Sequence, residues 1–216
     1  MGVLYDAEMN VFFFLFAPGQ AWDRVVRNGR GLFSIMFLQV LPLILAGAFL
    51  EGWGLVHWGK WQPKFEVVRL FPADQMVPYE ICQSLVLLLT ILLSALLVLQ
   101  VSQTFHERNR FVEAFRLTAY AFGPILWMHF LDAFPGMSPW ATWLLGILLS
   151  TWILYQGIPR VLQPDPTHAF GLYLSTVFIF LLATGLERAI TGMYLLGYLD
   201  FSHSWLTREW SRFFTH

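Results

Sequence analysis

Five long apolar stretches dominate the hydrophobic pattern of the chain, at about 32–50, 81–101, 117–134, 140–158 and 168–188. One bilayer crossing takes roughly 20 mainly apolar residues at a rise of about 1.5 Å each, so every stretch has the length of a transmembrane helix. None alternates apolar with polar positions, which argues against the strands of a membrane barrel. Between Arg116 and Arg160 the only formally charged residue is Asp132. The middle of that segment is the breaker-rich turn 134–139, Phe-Pro-Gly-Met-Ser-Pro, so the pattern predicts a helical hairpin inside a membrane. Pro42 and Pro124 fall within spans and predict kinked helices, because neighbouring helices can satisfy the carbonyls that proline frees.

The fold expected from this pattern is an all-α integral membrane protein, a bundle of five transmembrane helices with short interfacial amphipathic helices at both ends. Residues 1–31 form an N-terminal cytosolic or interfacial segment, 32–199 the membrane domain, and 200–216 a C-terminal interfacial helix. In the first segment Trp22, Val25 and Val26 share one helical face, opposite Asp23, Arg24 and Arg27. In the last, Leu206, Trp210, Phe213 and Phe214 oppose Arg208, Glu209 and Arg212. Trp53, Trp58 and Trp61 in the loop after the first span, with Trp205 and Trp210, make a candidate partner or lipid interface.

Charge in the short connections orients the bundle. Arg24, Arg27 and Arg30 precede the first span, Arg108, Arg110 and Arg116 follow the second, and Arg160 ends the fourth. Cytoplasmic connections carry the excess of Lys and Arg, which places the N-terminus in the cytosol and, after five crossings, the C-terminus outside. Lys60, Lys64 and Arg69 in the first outside loop run against this rule.

Composition agrees with the pattern. Of 216 residues 57% are hydrophobic and only 12% charged, against about 25% charged in soluble domains. Thirteen Lys and Arg against 14 Asp and Glu leave no basic face for phosphate, which excludes nucleic acid as a partner class. The one cysteine, Cys82, excludes an internal disulfide or a multi-cysteine metal site. Ten Trp and 21 Phe suit interfacial aromatic belts. The acidic start (Asp6, Glu8) and the short apolar run 11–16 do not fit a cleavable signal peptide.

Chemistry is sparse. His106-Glu107-Arg108-Asn109-Arg110 lacks the second histidine of a zinc-protease helix, and there is no Gly-x-Ser-x-Gly elbow and no phosphate-binding loop. Ser94, Ser150 and Ser175 read as packing or backbone-bonded hydroxyls. His129 reads as a hydrogen-bonded or interfacial histidine. Glu187-Arg188 is the least bland pair, either at the outer interface, the favoured reading, or buried if the fifth helix is shifted. Small residues one turn apart, Ala119 with Gly123, Gly146 with Ser150 and Gly185 with Ala189, mark close helix contacts.

Three stretches together resemble the Yip family of Ypt/Rab-interacting membrane proteins. The opening 17–25, Ala-Pro-Gly-Gln-Ala-Trp-Asp-Arg-Val, is similar to its segment before the first span, with Pro18 and Trp22 in place. Residues 119–127 carry the "tyrosine, then proline" of its third helix at Tyr120 and Pro124. Residues 154–162 resemble the end of its fourth helix, with Tyr155, Gly157 and Pro159. The resemblance implies five spans with a cytosolic N-terminus. Eukaryotic members carry a longer cytosolic region, associated with Rab binding, than residues 1–31, so the match points to the bacterial-type branch and an inner membrane.

The expected function is a non-enzymatic scaffold or accessory subunit of a membrane protein complex. It would work in the lipid bilayer beside other integral membrane proteins, as a homo- or hetero-oligomer and without cofactor or metal. The alternative is a small transporter or lipid-handling protein, with Pro42, Pro124, Gln39, Tyr120 and Gln156 lining a path. An intramembrane hydrolase ranks third: it requires a nucleophile and a base meeting at one depth, and no pairing in the sequence predicts that. Polar residues on one inward surface open to water would favour transport; the same residues satisfied within a closed bundle would favour the scaffold.

Overall fold

The structure, a computed structural model, describes residue 14 and residues 16–105 and 109–198. Trp205, Trp210 and the expected interfacial helix 200–216 lie outside these residues.

Helix α1 (Pro18–Asn28) starts on a proline, which needs no N–H partner in the first turn, and stops at Gly29 in the left-handed region. A short helix α2 (Leu32–Ile35) runs through a π-helical stretch, Met36–Val40, into α3 (Leu41–His57). The π stretch ends two residues before Pro42, next to the proline this span has to accommodate. A two-stranded antiparallel hairpin follows, β1 (Lys60–Gln62) and β2 (Val67–Arg69), with Trp61 opposite Val68. Helix α4 (Ala73–Thr104) is 32 residues long, about 48 Å at 1.5 Å per residue and well beyond a hydrocarbon core of about 30 Å.

The next element is broken. Helix α5 (Phe111–Ala121) begins where Glu113 Oε2 accepts the Arg110 N–H at 2.6 Å, and it stops just before Phe122. Helix α6 (Gly123–His129) restarts with Pro124 in its first turn, and a 3-10 turn, Phe130–Ala133, ends the segment. Helices α7 (Pro139–Val161) and α8 (Ala169–Leu195) complete the described chain. Asp165 closes the turn between them by accepting the Thr167 N–H at 3.2 Å and hydroxyl at 3.0 Å, which hold its carboxyl below the usual range.

Among the described residues four segments are long and apolar enough to cross a membrane: Leu32–His57, Ala73–Thr104, Pro139–Val161 and Ala169–Leu195. The broken segment α5–α6 sits between them, packed on α4, α7 and α3. Its residues from Ala114 to Leu126 are almost all buried, as expected of a helix that is apolar all round. The outer helices instead keep one face open, such as Leu85, Leu89 and Leu93 on α4 and Phe178, Leu182 and Leu186 on α8. That i, i+4 stripe is what lipid tails cover.

Contacts between connections define two ends. At one, the Trp61 N–H bonds to Pro135 O and Gln62 Nε2 to Leu195 O, so the hairpin, the 134–138 turn and the end of α8 lie together. At the other, Arg160 reaches Asp23 at 3.2 Å and Phe105 packs on His168. The broken segment runs from the second end to the first.

Three helices overrun their predicted apolar stretches on the hairpin side. The first span reaches His57 rather than 50, the second begins at Ala73 rather than 81, and the last reaches Leu195 rather than 188. The prediction ended these three stretches at a charge, and those charges, Glu51, Glu80 and the Glu187–Arg188 pair, are inside the protein.

Candidate functional site

Beneath the hairpin the helices bring together charged and polar side chains that are far apart in sequence. Helix α3 supplies Glu51, β1 Lys60, α4 Glu80 and Gln83, α6 His129, the 3-10 turn Asp132, α7 Thr142, and α8 Glu187, Arg188 and Thr191. All are buried, and Asp132 and Arg188 have no measurable exposure.

Asp132 is the centre. Arg188 Nη1 donates to its Oδ2 at 2.8 Å and the Thr142 hydroxyl to its Oδ1 at 2.7 Å. Arg188 Nη2 lies 3.1 Å from His129 Nε2. A guanidinium can only donate, so Nε2 accepts and the imidazole carries its proton on Nδ1. That nitrogen faces Glu51 Oε2 at 3.4 Å and Asp132 Oδ2 at 3.5 Å, both long contacts. Gln83 Nε2 donates to Glu51 Oε2 at 3.1 Å. Glu187 is held from its own helix, by the Thr191 hydroxyl.

The hairpin closes the cluster by capping helices. The last carbonyls of a helix lack intrahelical donors and carry negative partial charge. Lys60 Nζ donates to Asp132 O at 2.6 Å and Phe134 O at 3.2 Å, and Gln62 donates to Leu195 O at 3.2 Å. Burial pushes the Lys60 ammonium below its ordinary value, opposed by the charges of Asp132 and Glu51. Gly54 lets α3 lie directly on this turn, where a β-carbon would collide with Ala133 O.

A small cavity of about 10 Å³ borders the cluster between α3, α4 and α6, lined by Gly47, Glu51, Glu80, Gln83, Ser84 and His129 among others. It has room for one water-sized occupant. Glu51, His129 and Asp132 present ligand atoms within 4.8 Å of one another, the spacing of a metal site. The Arg188 guanidinium already occupies Asp132 and the free imidazole nitrogen, so this trio is a hydrogen-bonded ion cluster.

Glu187 and Arg188 thus occupy the buried one of their two readings, because α8 extends past them to Leu195 and Arg188 finds Asp132 across the bundle. The expectation of an interfacial pair is corrected on that ground. Glu51, Lys60, Glu80, Gln83 and Thr142 were not singled out from sequence. One signal was present: Glu80 with Gln83, and His129 with Asp132, are polar pairs three residues apart at span ends, hence on one helix face.

Three of the sequence-selected motif residues, Trp22, Tyr120 and Gly157, meet towards the opposite end. Trp22 is fully buried and donates from Nε1 to Ile153 O at 3.0 Å, with its ring 6.0 Å from that of Tyr120. Gly157 exists to admit that indole, since a β-carbon there would lie 2.5 Å from Trp22 Cε2. Pro18, Ala21 and Val25 are buried with it, so Trp22 and Val25 of the expected face are packed into the protein on α7, while Val26 stays exposed. Tyr155 stands apart, half-exposed against Tyr173, and Pro159 lies in the last turn of α7. Trp53, Trp58 and Trp61 remain partly exposed around the hairpin, with Trp53 stacked on His57 and Trp58 on Phe134. Gln39 and Tyr120 are buried and Gln156 binds Arg160, but none of these three lines the cavity.

No curated protein and no solved structure matches the chain. A family model, the Yip1 domain, matches residues 12–186 of the 216. That interval contains all three motif stretches and the spanning helices as far as Leu186. With its long apolar helices and the motif residues Trp22, Tyr120 and Gly157 packed into one contact, the chain belongs to the Yip1-domain family of integral membrane proteins.

Proposed function

We propose that the protein is a non-enzymatic scaffold or accessory subunit of a membrane protein complex. The observation that carries this reading is how the polar side chains are used. Within the bundle they tie helices to one another and to the hairpin, and the cavity beside them admits one water-sized occupant. A solute path needs a polar surface open to water, whereas pockets for small ligands run to about 300 Å³ or more. The path residues of the transport alternative, Gln39, Tyr120 and Gln156, do not meet on such a surface.

The bundle we propose has five crossings, with the broken α5–α6 segment as the buried central one. Its running between the two ends defined by contacts supports this. A cytosolic N-terminus and an outside hairpin are supported by Lys60, whose capping role removes it from the count against the charge rule. Arg24, Arg27, Arg30, Arg108, Arg110, Arg116 and Arg160 then face Lys64, Arg69, Arg208 and Arg212. The membrane is proposed to be a bacterial inner membrane.

Purification from the native membrane in a gentle detergent, followed by mass spectrometry, tests the function. The expected result is recovery with other integral membrane proteins in fixed stoichiometry. A lone chain carrying a bound lipid or solute would overturn it.

A further inference from the structure

The cavity between α3, α4 and α6 has a one-sided lining. Glu80 is nine-tenths buried, and neither of its carboxylate oxygens has a hydrogen-bond partner among the described residues. Glu51 is 1% exposed and uses only Oε2; its Oε1 is likewise without a partner. Gln83, 4% exposed, is oriented by its own hydrogen bond. Its Nε2 donates to Glu51 Oε2 at 3.1 Å, which leaves Oε1 as an acceptor with no donor among the described residues. Three neighbouring side chains therefore offer four unused acceptor oxygens, and all three line the one small cavity.

Charge points the same way. Glu51, Glu80, Asp132 and Glu187 are four buried carboxylates, while the buried cations beside them are Lys60 and Arg188. Arg188 is committed to Asp132, and Lys60 to the carbonyls of Asp132 and Phe134. Among the described residues no Lys or Arg forms an ion pair with Glu51 or Glu80. Unpaired buried carboxylates are expensive, and a bound cation is one of the few ways to compensate them. The four ligand atoms are all oxygen, three of them from carboxylates, beside a space of about 10 Å³. Oxygen ligands of this kind select hard cations such as Ca²⁺ and Mg²⁺ over the nitrogen- and sulfur-seeking metals.

We propose that Glu51, Glu80 and the Gln83 side-chain carbonyl form a binding site for one hard divalent cation, between α3 and α4 beneath the hairpin. The ion would balance the two carboxylates that no Lys or Arg among the described residues pairs, and would join α3 to α4. It shares Glu51 with the Glu51–His129–Asp132 grouping but uses neither His129 nor Asp132, both of which Arg188 engages.

The full-length chain, purified in a non-ionic detergent and stripped with EDTA, is titrated by calorimetry with calcium chloride and with magnesium chloride at constant ionic strength. One equivalent of one of these ions is expected to bind saturably and to raise the thermal unfolding midpoint. Glu80→Gln and Glu51→Gln should weaken binding by at least about tenfold, the loss that even an outer-shell change produces. Asp74→Asn, an exposed carboxylate on the same helix, should bind as wild type. Absence of saturable binding by the wild-type chain would overturn the site, and would mean that protons neutralise the pair. Wild-type affinity retained in both glutamine variants would overturn it as well. Should either variant fail to elute as a monodisperse peak, the wild-type chain with and without EDTA still decides, since an unchanged midpoint refutes the proposal.

Discussion

At the scale of single residues, the decisive fact is that Arg188 and Asp132 are each other's answer to burial. A lone charge at this depth costs several kcal/mol, whereas the pair with Thr142 and His129 around it leaves little unsatisfied. Removing one partner should therefore be worse than removing both. Arg188→Met alone is expected to destabilise by about 3–5 kcal/mol, the range for an orphaned buried charge, and Asp132→Asn similarly. The double variant Arg188→Met/Asp132→Asn should recover a large part of that loss in thermal unfolding of the detergent-solubilised protein. Singles as stable as wild type would refute the pairing. The charge of Arg188 was plain in sequence; its partner, 56 residues away, was not.

At the scale of elements, the contact between α1 and α7 turns on one glycine and one indole. Gly157→Ala places a β-carbon 2.5 Å from Trp22 Cε2, an overpacking expected to cost about 1–3 kcal/mol. The displaced α1 should then become a substrate for trypsin at Arg24 and Arg27. Trp22→Phe in the same chain shortens the ring and should restore part of the thermal midpoint, although the bond to Ile153 O is lost. If Gly157→Ala neither lowers the midpoint nor opens α1 to trypsin, the close contact is refuted. The amphipathic face of α1 was legible from the spacing of Trp22 and Val25. Its destination was not, because lipid and a neighbouring helix reward the same apolar stripe.

At the scale of the whole molecule, the arrangement of ends makes the orientation testable. In a Cys82→Ser background, Lys64→Cys at the hairpin tip should react with a membrane-impermeant maleimide in intact spheroplasts. Asn28→Cys should react only after permeabilisation. The opposite pattern would overturn the proposed cytosolic N-terminus. The hairpin also explains why three helices overrun their apolar stretches at its end. Charges that usually mark a water boundary are here enclosed by the hairpin, with Lys60 and Gln62 sealing the carbonyl ends of the 3-10 turn and α8.

What the sequence by itself determined is what depends on local composition and period. The apolar stretches, the break near Pro124, the turn at 134–139 and the family motifs all follow from residues within one or two helical turns of each other. Tertiary structure alone decided where the charges go. Glu51, Glu80, Asp132 and Arg188 lie on four different elements, and each alone looks like the end of a membrane span. Their meeting depends on helix packing, on Gly54 admitting α3 to the 3-10 turn, and on a hairpin folding back to cover them. Electrostatic energy in a low-dielectric interior is set by distance in space, and distance along the chain carries no record of it.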